Sequence, residues 1–260
     1  MKKLFALCSA LSLLIVTSCE DKYDCGCSDL PVNEKSYIQS FIGLGEIRVC
    51  VNNGIIVDKT KNTIINNGSL EEPEIYDVKN GVSIHINIVS GGEEKDFIDW
   101  RGSNADYYYE LTEKIGDTSY NAKYGDTRYA NADTLRYINV TCDKAIDSNH
   151  PAGSSLNDIL SLYFMDICAY VKNGYMPVTG PDYYSIVDYD GSTRAHTYFG
   201  DKLSSVNLVD KPHGGLSLTL MLETTPEHTD EYTFTVSVTN KQGKTVENTT
   251  EPVRIKGINP

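Results

Sequence analysis

Apolar and polar side chains alternate along residues 232–238, Tyr-Thr-Phe-Thr-Val-Ser-Val, near the end of the chain. A period of two places the four apolar side chains on one face of a strand, because successive strand residues point to opposite faces. Residues 215–223 repeat the pattern with leucine at every second position, and Asn-Lys-Gln-Gly at 240–243 is typical of a turn. Strands that each bury one face predict a β-sandwich.

The start of this strand resembles the tyrosine corner of immunoglobulin-like sandwiches. Tyr232 follows Asp230 and Glu231, and in that motif the phenol donates a hydrogen bond back to the backbone at the turn. The resemblance covers roughly residues 200–256 and implies a sandwich. It does not imply an antibody-type domain, because the Cys-Trp-Cys framework is not in the sequence.

Alternation also indicates strands nearer the N-terminus. Residues 46–51 and 55–58 lie on either side of Asn-Asn-Gly, which is typical of a β-hairpin because Asn and Gly accept a positive φ. Residues 82–89 add another strand. We therefore predict a mostly β fold with two β-rich units, one at residues 40–100 and an immunoglobulin-like sandwich at 135–260.

A short helix is predicted in the C-terminal unit. Ser155, followed three residues later by Asp158, is typical of a helix start. Apolar side chains recur at spacings of three and four from Leu156 to Phe164. Residues 164–171 fit either the end of this helix or a buried strand, since short apolar runs do not distinguish the two.

The N-terminus has the pattern of a bacterial lipoprotein signal. Lys2 and Lys3 precede an uncharged run at 4–16, which is shorter than the roughly 20 residues of a membrane-spanning helix. Val16-Thr17-Ser18-Cys19 then resembles a lipobox. The resemblance implies a signal peptide at residues 1–18 and a lipid-modified Cys19, with palmitate among the acyl chains, as the link to the membrane.

The residues after Cys19 are acidic. Glu20-Asp21-Lys22-Tyr23-Asp24 resembles the export stretch that sends lipoproteins of the Bacteroidota group to the cell surface, and residues 19–39 are predicted to form an acidic tether. We expect a lipid-anchored protein of the outer membrane, exposed at the surface; a solvated tether facing the periplasm is the alternative. With 36 acidic against 23 basic residues, the composition argues against nucleic-acid binding.

Five cysteines follow Cys19, an odd number. Outside the cytoplasm disulfides form, and the sequence leaves open a Cys142–Cys168 pair or a pair of Cys50 with Cys25 or Cys27. Cys25-Gly26-Cys27 lacks the second half of a zinc site, so no metal is predicted there.

Enzyme motifs are missing from the sequence. It contains no His-Glu-x-x-His, Gly-x-Ser-x-Gly, phosphate loop or dinucleotide fingerprint, so we predict a non-enzymatic protein without a cofactor. Asp188 and Asp190 precede Gly191 and are weak candidates for calcium ligands, but the glutamate at the twelfth loop position is replaced by Phe199. A hairpin turn is the preferred interpretation.

Residues 150–158, His-Pro-Ala-Gly-Ser-Ser-Leu-Asn-Asp, combine a histidine, two hydroxyls and a carboxylate. A catalytic role would require His150 within hydrogen-bond reach of Ser154 or Ser155; a turn followed by a helix cap explains the composition equally well. With the strand before it, this segment resembles lipoproteins of the Bacteroidota group in a domain family of unknown function. The resemblance assigns neither an activity nor a residue role.

Tyrosine is abundant, with 18 residues against six phenylalanines and one tryptophan. Many lie in the Tyr/Asn/Asp-rich segment 101–134, which we predict to be a connection between the two units. Aromatic faces stack on sugars, whereas strand propensity alone also enriches tyrosine. The candidate ligand-binding residues are Trp100, Tyr107, Tyr108, Tyr109, Tyr120 and Tyr129.

Together these patterns predict a lipid-anchored cell-surface lipoprotein that works by binding or adhesion. Its expected partners are the membrane, through the lipid, and a glycan or a surface protein. Two alternatives remain, a glycan-binding accessory protein of a polysaccharide-uptake system and a fimbrial or pilus-type structural subunit.

Overall fold

The computed structural model describes residues 35–66, 73–92, 96–120, 129–187 and 193–260, with the backbone alone at 193–197. Several sequence-based predictions therefore lie outside the described residues. They are the signal peptide, Cys19 and most of the acidic tether, Cys25, Cys27, Asp188 and Asp190.

Within the described residues the chain forms sixteen strands and two α-helices. The strands are β1 (Ser40–Ile42), β2 (Glu46–Asn52), β3 (Ile55–Asp58), β4 (Thr63–Asn66), β5 (Ser83–Val89), β6 (Phe97–Asp99), β7 (Tyr129–Asn131), β8 (Leu135–Cys142), β9 (Leu160–Met165), β10 (Tyr183–Val187), β11 (Thr193–Lys202), β12 (Ser217–Leu222), β13 (Asp230–Tyr232), β14 (Phe234–Asn240), β15 (Thr245–Thr249) and β16 (Val253–Ile255). The helices are α1 (Ala105–Ile115) and α2 (Ile167–Lys172). The predicted mostly β class is confirmed.

An eight-stranded sheet forms the centre of the fold, in the order β2-β5-β12-β9-β11-β10-β4-β3. Its pairs are antiparallel except for β4 with β10. The two edge strands, β2 and β3, are joined by only Asn53 and Gly54, so the sheet curls until its edges approach. Gly81, at φ 84°, allows this approach, because a Cβ there would lie 1.8 Å from the carbonyl oxygen of Ile55.

The main core lies between this sheet and a three-stranded sheet in the order β15-β14-β8. Phe234, Val236 and Val238 on β14 are at most 1% exposed and belong to the same core as the leucines of β12. Burying each such side chain contributes about 1.5–3 kcal/mol relative to leaving it in water. The alternation at 232–238 therefore specifies the buried face of a sandwich-like pair of sheets.

The tyrosine-corner prediction is confirmed. The hydroxyl of Tyr232 donates to the backbone carbonyl oxygen of His228 at 2.6 Å, four residues upstream. β13, which ends at Tyr232, pairs with the final strand β16. This places the phenol at the point where the chain turns into β14.

A smaller layer has a second core of its own. Strands β6-β1-β7 form a three-stranded sheet, with β1 antiparallel to β6 and parallel to β7. One face of this sheet packs on α1 and α2, and the buried Tyr108 of α1 donates to the carbonyl oxygen of Ile38 at 2.7 Å.

Pairing over long distances corrects several sequence-based expectations. β2 and β3 form as predicted but do not pair with each other, since β2 pairs with β5 and β3 with β4. Strands from the two predicted units, 40–100 and 135–260, share the eight-stranded sheet through the β5–β12 ladder. The segment 101–134, expected to be a connection, contains α1 and β7.

The predicted helix from Leu156 to Phe164 is wrong. Leu160–Met165 is a strand at the centre of the sheet, and the helix α2 follows at Ile167–Lys172. Both faces of β9 are covered, with five of its six residues buried. A strand buried on both faces carries apolar residues at every position, so its sequence loses the alternation that distinguishes it from a helix.

Candidate functional site

The structure separates the six candidate aromatic residues by burial. Tyr108 is fully buried in the second core, where Trp100 and Tyr120 pack at its margin. Tyr107, Tyr109 and Tyr129 are exposed, each by 43–46%. Buried positions on α1 recur at spacings of three and four, so Tyr107 and Tyr109 lie on opposite flanks of the helix and do not form one surface with each other.

Tyr129 belongs to a surface that the strand register creates. Ser40 on the central strand β1 lies opposite Asp99 of β6 and Tyr129 of β7, so the three side chains share one face of the sheet. Phe97, two residues before Asp99, lies on the same face and is 41% exposed. Together with Arg101, which folds back over Asp99, these residues form what we call the arginine patch, defined as Phe97, Asp99, Arg101 and Tyr129.

An ion pair with two parallel hydrogen bonds organises the arginine patch. Arg101 Nε donates to Asp99 Oδ1 at 3.0 Å and Arg101 Nη2 to Asp99 Oδ2 at 2.8 Å. The backbone N–H of Arg101 adds a bond of 2.7 Å to Oδ1, and the hydroxyl of Ser40 one of 3.3 Å to Oδ2. The bonds from Arg101 lower the pKa of Asp99 against the opposing effect of burial, and the Asp99 carboxylate raises the pKa of Arg101.

The guanidinium of Arg101 is held in place yet accessible. Asp99 is 7% exposed, whereas the side chain of Arg101 is 40% exposed, and the guanidinium carbon lies 5.3 Å from the centroid of the Trp100 ring. Two of the five guanidinium N–H groups donate to Asp99, and the other three have no hydrogen-bond acceptor within the part of the chain that the structure describes. The patch therefore presents oriented donors between exposed aromatic rings.

His150 lies in a different polar cluster. Its Nδ1 is 2.8 Å from Asp147 and its Nε2 is 3.1 Å from Asp158. Burial alone would lower the pKa of His150, but the hydrogen bonds to the two carboxylates outweigh this effect and raise it. Ser154 and Ser155 donate instead to a backbone carbonyl oxygen and to an asparagine side chain, so the serine–histidine contact that catalysis would require is not formed.

The Cys142–Cys168 pair, which the sequence leaves open, is not formed. Cys142 lies in the main core and Cys168 in the second core, both as free thiols. Burial raises the pKa of Cys142 to about 11 and that of Cys168 to about 12. The proposed partners of Cys50 lie outside the described residues. Among the described residues, groups of three or more potential metal ligands are not found.

Sequence reasoning missed an ion pair at the start of α2, between the buried Asp166 and the partly buried Lys211. Asp166 Oδ1 accepts from the backbone N–H of Ala169 at 3.0 Å and so caps the helix. Asp166 Oδ2 accepts from Lys211 Nζ at 3.0 Å and from the Tyr183 hydroxyl at 3.1 Å. Lys211 Nζ also lies 4.0 Å from the centroid of the Phe199 ring. An aspartate before an apolar run is a cap signal, but nothing in the sequence links it to a lysine 45 residues later.

A second missed carboxylate holds the beginning of the described chain. Asp117 is fully buried and accepts from the backbone N–H groups of Tyr37 and Ile38, both at 2.8 Å, and from the Tyr175 hydroxyl at 3.1 Å. Burial raises its pKa despite these bonds. Tyr120, one of the predicted ligand-binding residues, packs edge-on against Tyr37 and Tyr175 and thus belongs to this structural clamp.

Comparisons with known proteins give little similarity. The sequence matches no family model and no curated protein. A crystal structure of a variant of the major pilin subunit of Bacillus cereus aligns with 81% of this chain and 40% of the pilin chain, at 12% identity and a TM-score of 0.24. At that TM-score the likeness carries no argument about fold or function. Separately, no helix within the described ranges is long and apolar enough to cross a membrane.

Proposed function

We propose that the protein is a lipid-anchored, non-enzymatic binding or adhesion protein at the outer surface of a bacterial cell. The observation that carries this proposal is Val16-Thr17-Ser18-Cys19 at the end of a short uncharged run with two preceding lysines. One acyl chain anchors a protein weakly, whereas two or more anchor it firmly. The acidic stretch behind Cys19, with its resemblance to the export stretch of Bacteroidota lipoproteins, supports the outer surface as the location.

The arginine patch supports glycan binding as the specific form of this function. Exposed aromatic side chains beside a small number of oriented polar groups are typical of sites that bind polar ligands. Phe97, Arg101 and Tyr129 supply that combination on one face of a three-stranded sheet. The pilus-type subunit remains an alternative from the sequence, and no contact among the described residues favours it over glycan binding.

Metabolic labelling with a palmitate analogue tests the anchor. We expect wild-type protein to carry the label and Cys19→Ala to lose it. Cys8→Ala, which changes a cysteine inside the predicted signal peptide, is the matched control and should be labelled like wild type. Protease added to intact cells should digest the wild-type protein if it is surface-exposed.

Unlabelled wild-type protein would contradict the lipid anchor and with it the proposed location. Labelled protein that resists protease on intact cells but is digested after permeabilisation would retain the anchor and place the protein on the periplasmic side.

A further inference from the structure

We propose that the arginine patch is a binding site for a neutral polysaccharide. The inference rests on the proposed binding function and adds to it the residues and the class of ligand. Of the six aromatic residues predicted from the sequence, the proposed site keeps only Tyr129. Phe97, Asp99 and Arg101 were not predicted from the sequence.

The two exposed rings of the patch are spaced for an extended ligand. Phe97 and Tyr129 lie on the two outer strands of the sheet and two residues apart along the strand direction. With neighbouring strands about 4.8 Å apart and a rise of about 3.4 Å per residue, their Cα atoms are about 12 Å apart. That span is wider than one sugar ring and suits successive units of a chain, each stacked on an aromatic face.

The polar centre of the patch is preorganised. Asp99 fixes the Arg101 guanidinium through two parallel bonds, so little side-chain freedom is lost when a ligand binds. The N–H groups of Arg101 that do not point to Asp99 are donors for sugar hydroxyl oxygens. The Tyr129 hydroxyl both donates and accepts, which matches the dual character of sugar hydroxyls.

Charge selects neutral rather than anionic chains. The positive charge of Arg101 is balanced by Asp99 at 2.8 Å, so the patch offers an anion no uncompensated cation. The whole chain has a formal charge of −13, and a field of that sign repels anionic polymers. A neutral polysaccharide is not repelled by the negative charge of the protein and does not require a free cation. It can stack on the aromatic rings and accept hydrogen bonds from Arg101.

Affinity gel electrophoresis tests the site, with the full-length protein in non-ionic detergent run through gels that contain one polysaccharide each. The neutral probes are starch, galactomannan and mixed-linkage glucan, and the anionic probes are alginate and hyaluronan. We expect at least one neutral probe, and neither anionic probe, to retard the wild-type protein.

Two variants address the residues directly. Tyr129→Ala removes a stacking surface and Arg101→Met removes the donors but keeps an apolar stem; we expect each to weaken retardation at least tenfold. Tyr137→Ala is the matched control, because Tyr137 is an exposed strand tyrosine, 51% accessible, on β8. It should bind like wild type, and thermal melts of all three variants identify any loss of folding.

The proposal is overturned if no neutral probe retards the protein, if an anionic probe does so, or if folded Tyr129→Ala and Arg101→Met bind as well as wild type. Palmitate labelling is independent of these outcomes. A labelled protein that fails the gel assay would lose the polysaccharide site and keep the anchor, whereas an unlabelled protein that binds starch would lose the anchor and keep the site.

Discussion

His150 makes the stability of one loop depend on pH. The folded-state pKa of His150 lies above its ordinary value, so its contribution is fully present below about pH 6.5 and is lost as pH rises through the raised pKa. The pKa values of Asp147 and Asp158 are lowered, so their contribution is present above about pH 4 and is lost on further acidification. The cluster therefore stabilises the loop most between these two limits.

We predict that His150→Gln lowers the free energy of unfolding by about 1–2 kcal/mol at pH 6 and by less at pH 9, since hydrogen bonds to charged groups contribute on that order and Asp158 is largely exposed. Thermal melts across this pH range measure the difference. His228→Gln is the matched control, because His228 is exposed. Equal destabilisation at both pH values would contradict a charged His150 in the folded protein.

At the scale of an element, α2 depends on one carboxylate. Its six residues are too few for an isolated helix to be stable in water, so the Asp166 cap and packing against the second core must hold it. Burial alone would lower the pKa of Lys211, but the bonds to Tyr183 and Asp166 more than compensate and raise it. Lys211 thus stays charged and needs its partner.

We predict that Asp166→Ala lowers the free energy of unfolding by about 2–4 kcal/mol, because it removes the cap and leaves the partly buried Lys211 without its carboxylate partner. Lys211→Met should cost less, and the double variant should be more stable than Asp166→Ala alone. Chemical denaturation of the four proteins gives the coupling. If the effects of the two substitutions on the free energy of unfolding are additive, the destabilisation by Asp166→Ala does not come from the loss of the ion pair.

Sequence patterns predicted the positions of strands better than they predicted which strands pair with each other. The alternation at 232–238 identified the buried face of β14, and Tyr232 identified the corner before it, because both depend on neighbours in the chain. The Asn-Gly turn after β2 predicted two strands correctly and their pairing wrongly, since the register of β2 is set by β5. The period of the apolar residues indicates which face of a strand is buried, but it does not indicate which strand is its hydrogen-bonding partner.

At the scale of the molecule, the candidate site shows the same limit. Composition drew attention to the tyrosines near residue 129, but Phe97 and Arg101 join Tyr129 only because β1 inserts between β6 and β7. That arrangement depends on the second core beneath the sheet, where Phe41 and Ile98 are buried next to Ala130. No local pattern in residues 97–101 encodes it.

The two cores are connected closely enough to unfold together. Residues 165–167 pass directly from β9 in the main sheet into α2 in the second core. The backbone N–H of Asn131 in β7 of the smaller sheet donates to the carbonyl oxygen of Gly214, and the N–H of the next residue, Gly215, donates to Met165 at the end of β9 in the main sheet. Such links make independent unfolding of either layer costly, and we expect a single cooperative transition for the body of the protein.

Val236→Ala tests this expectation from the main core. Val236 is fully buried on β14, and we predict that the substitution lowers the free energy of unfolding by about 2 kcal/mol through the lost methyl groups and the cavity they leave. Trp100, the only tryptophan, packs at the margin of the second core. In Val236→Ala, the denaturation midpoint followed by Trp100 fluorescence should shift together with the midpoint followed by circular dichroism of the strands. Glu247→Ala, at an exposed position on β15, is the control and should shift neither midpoint. A fluorescence midpoint that stays in place while the circular-dichroism midpoint falls would mean that the smaller layer folds on its own, and the arginine patch could then be studied apart from the sandwich.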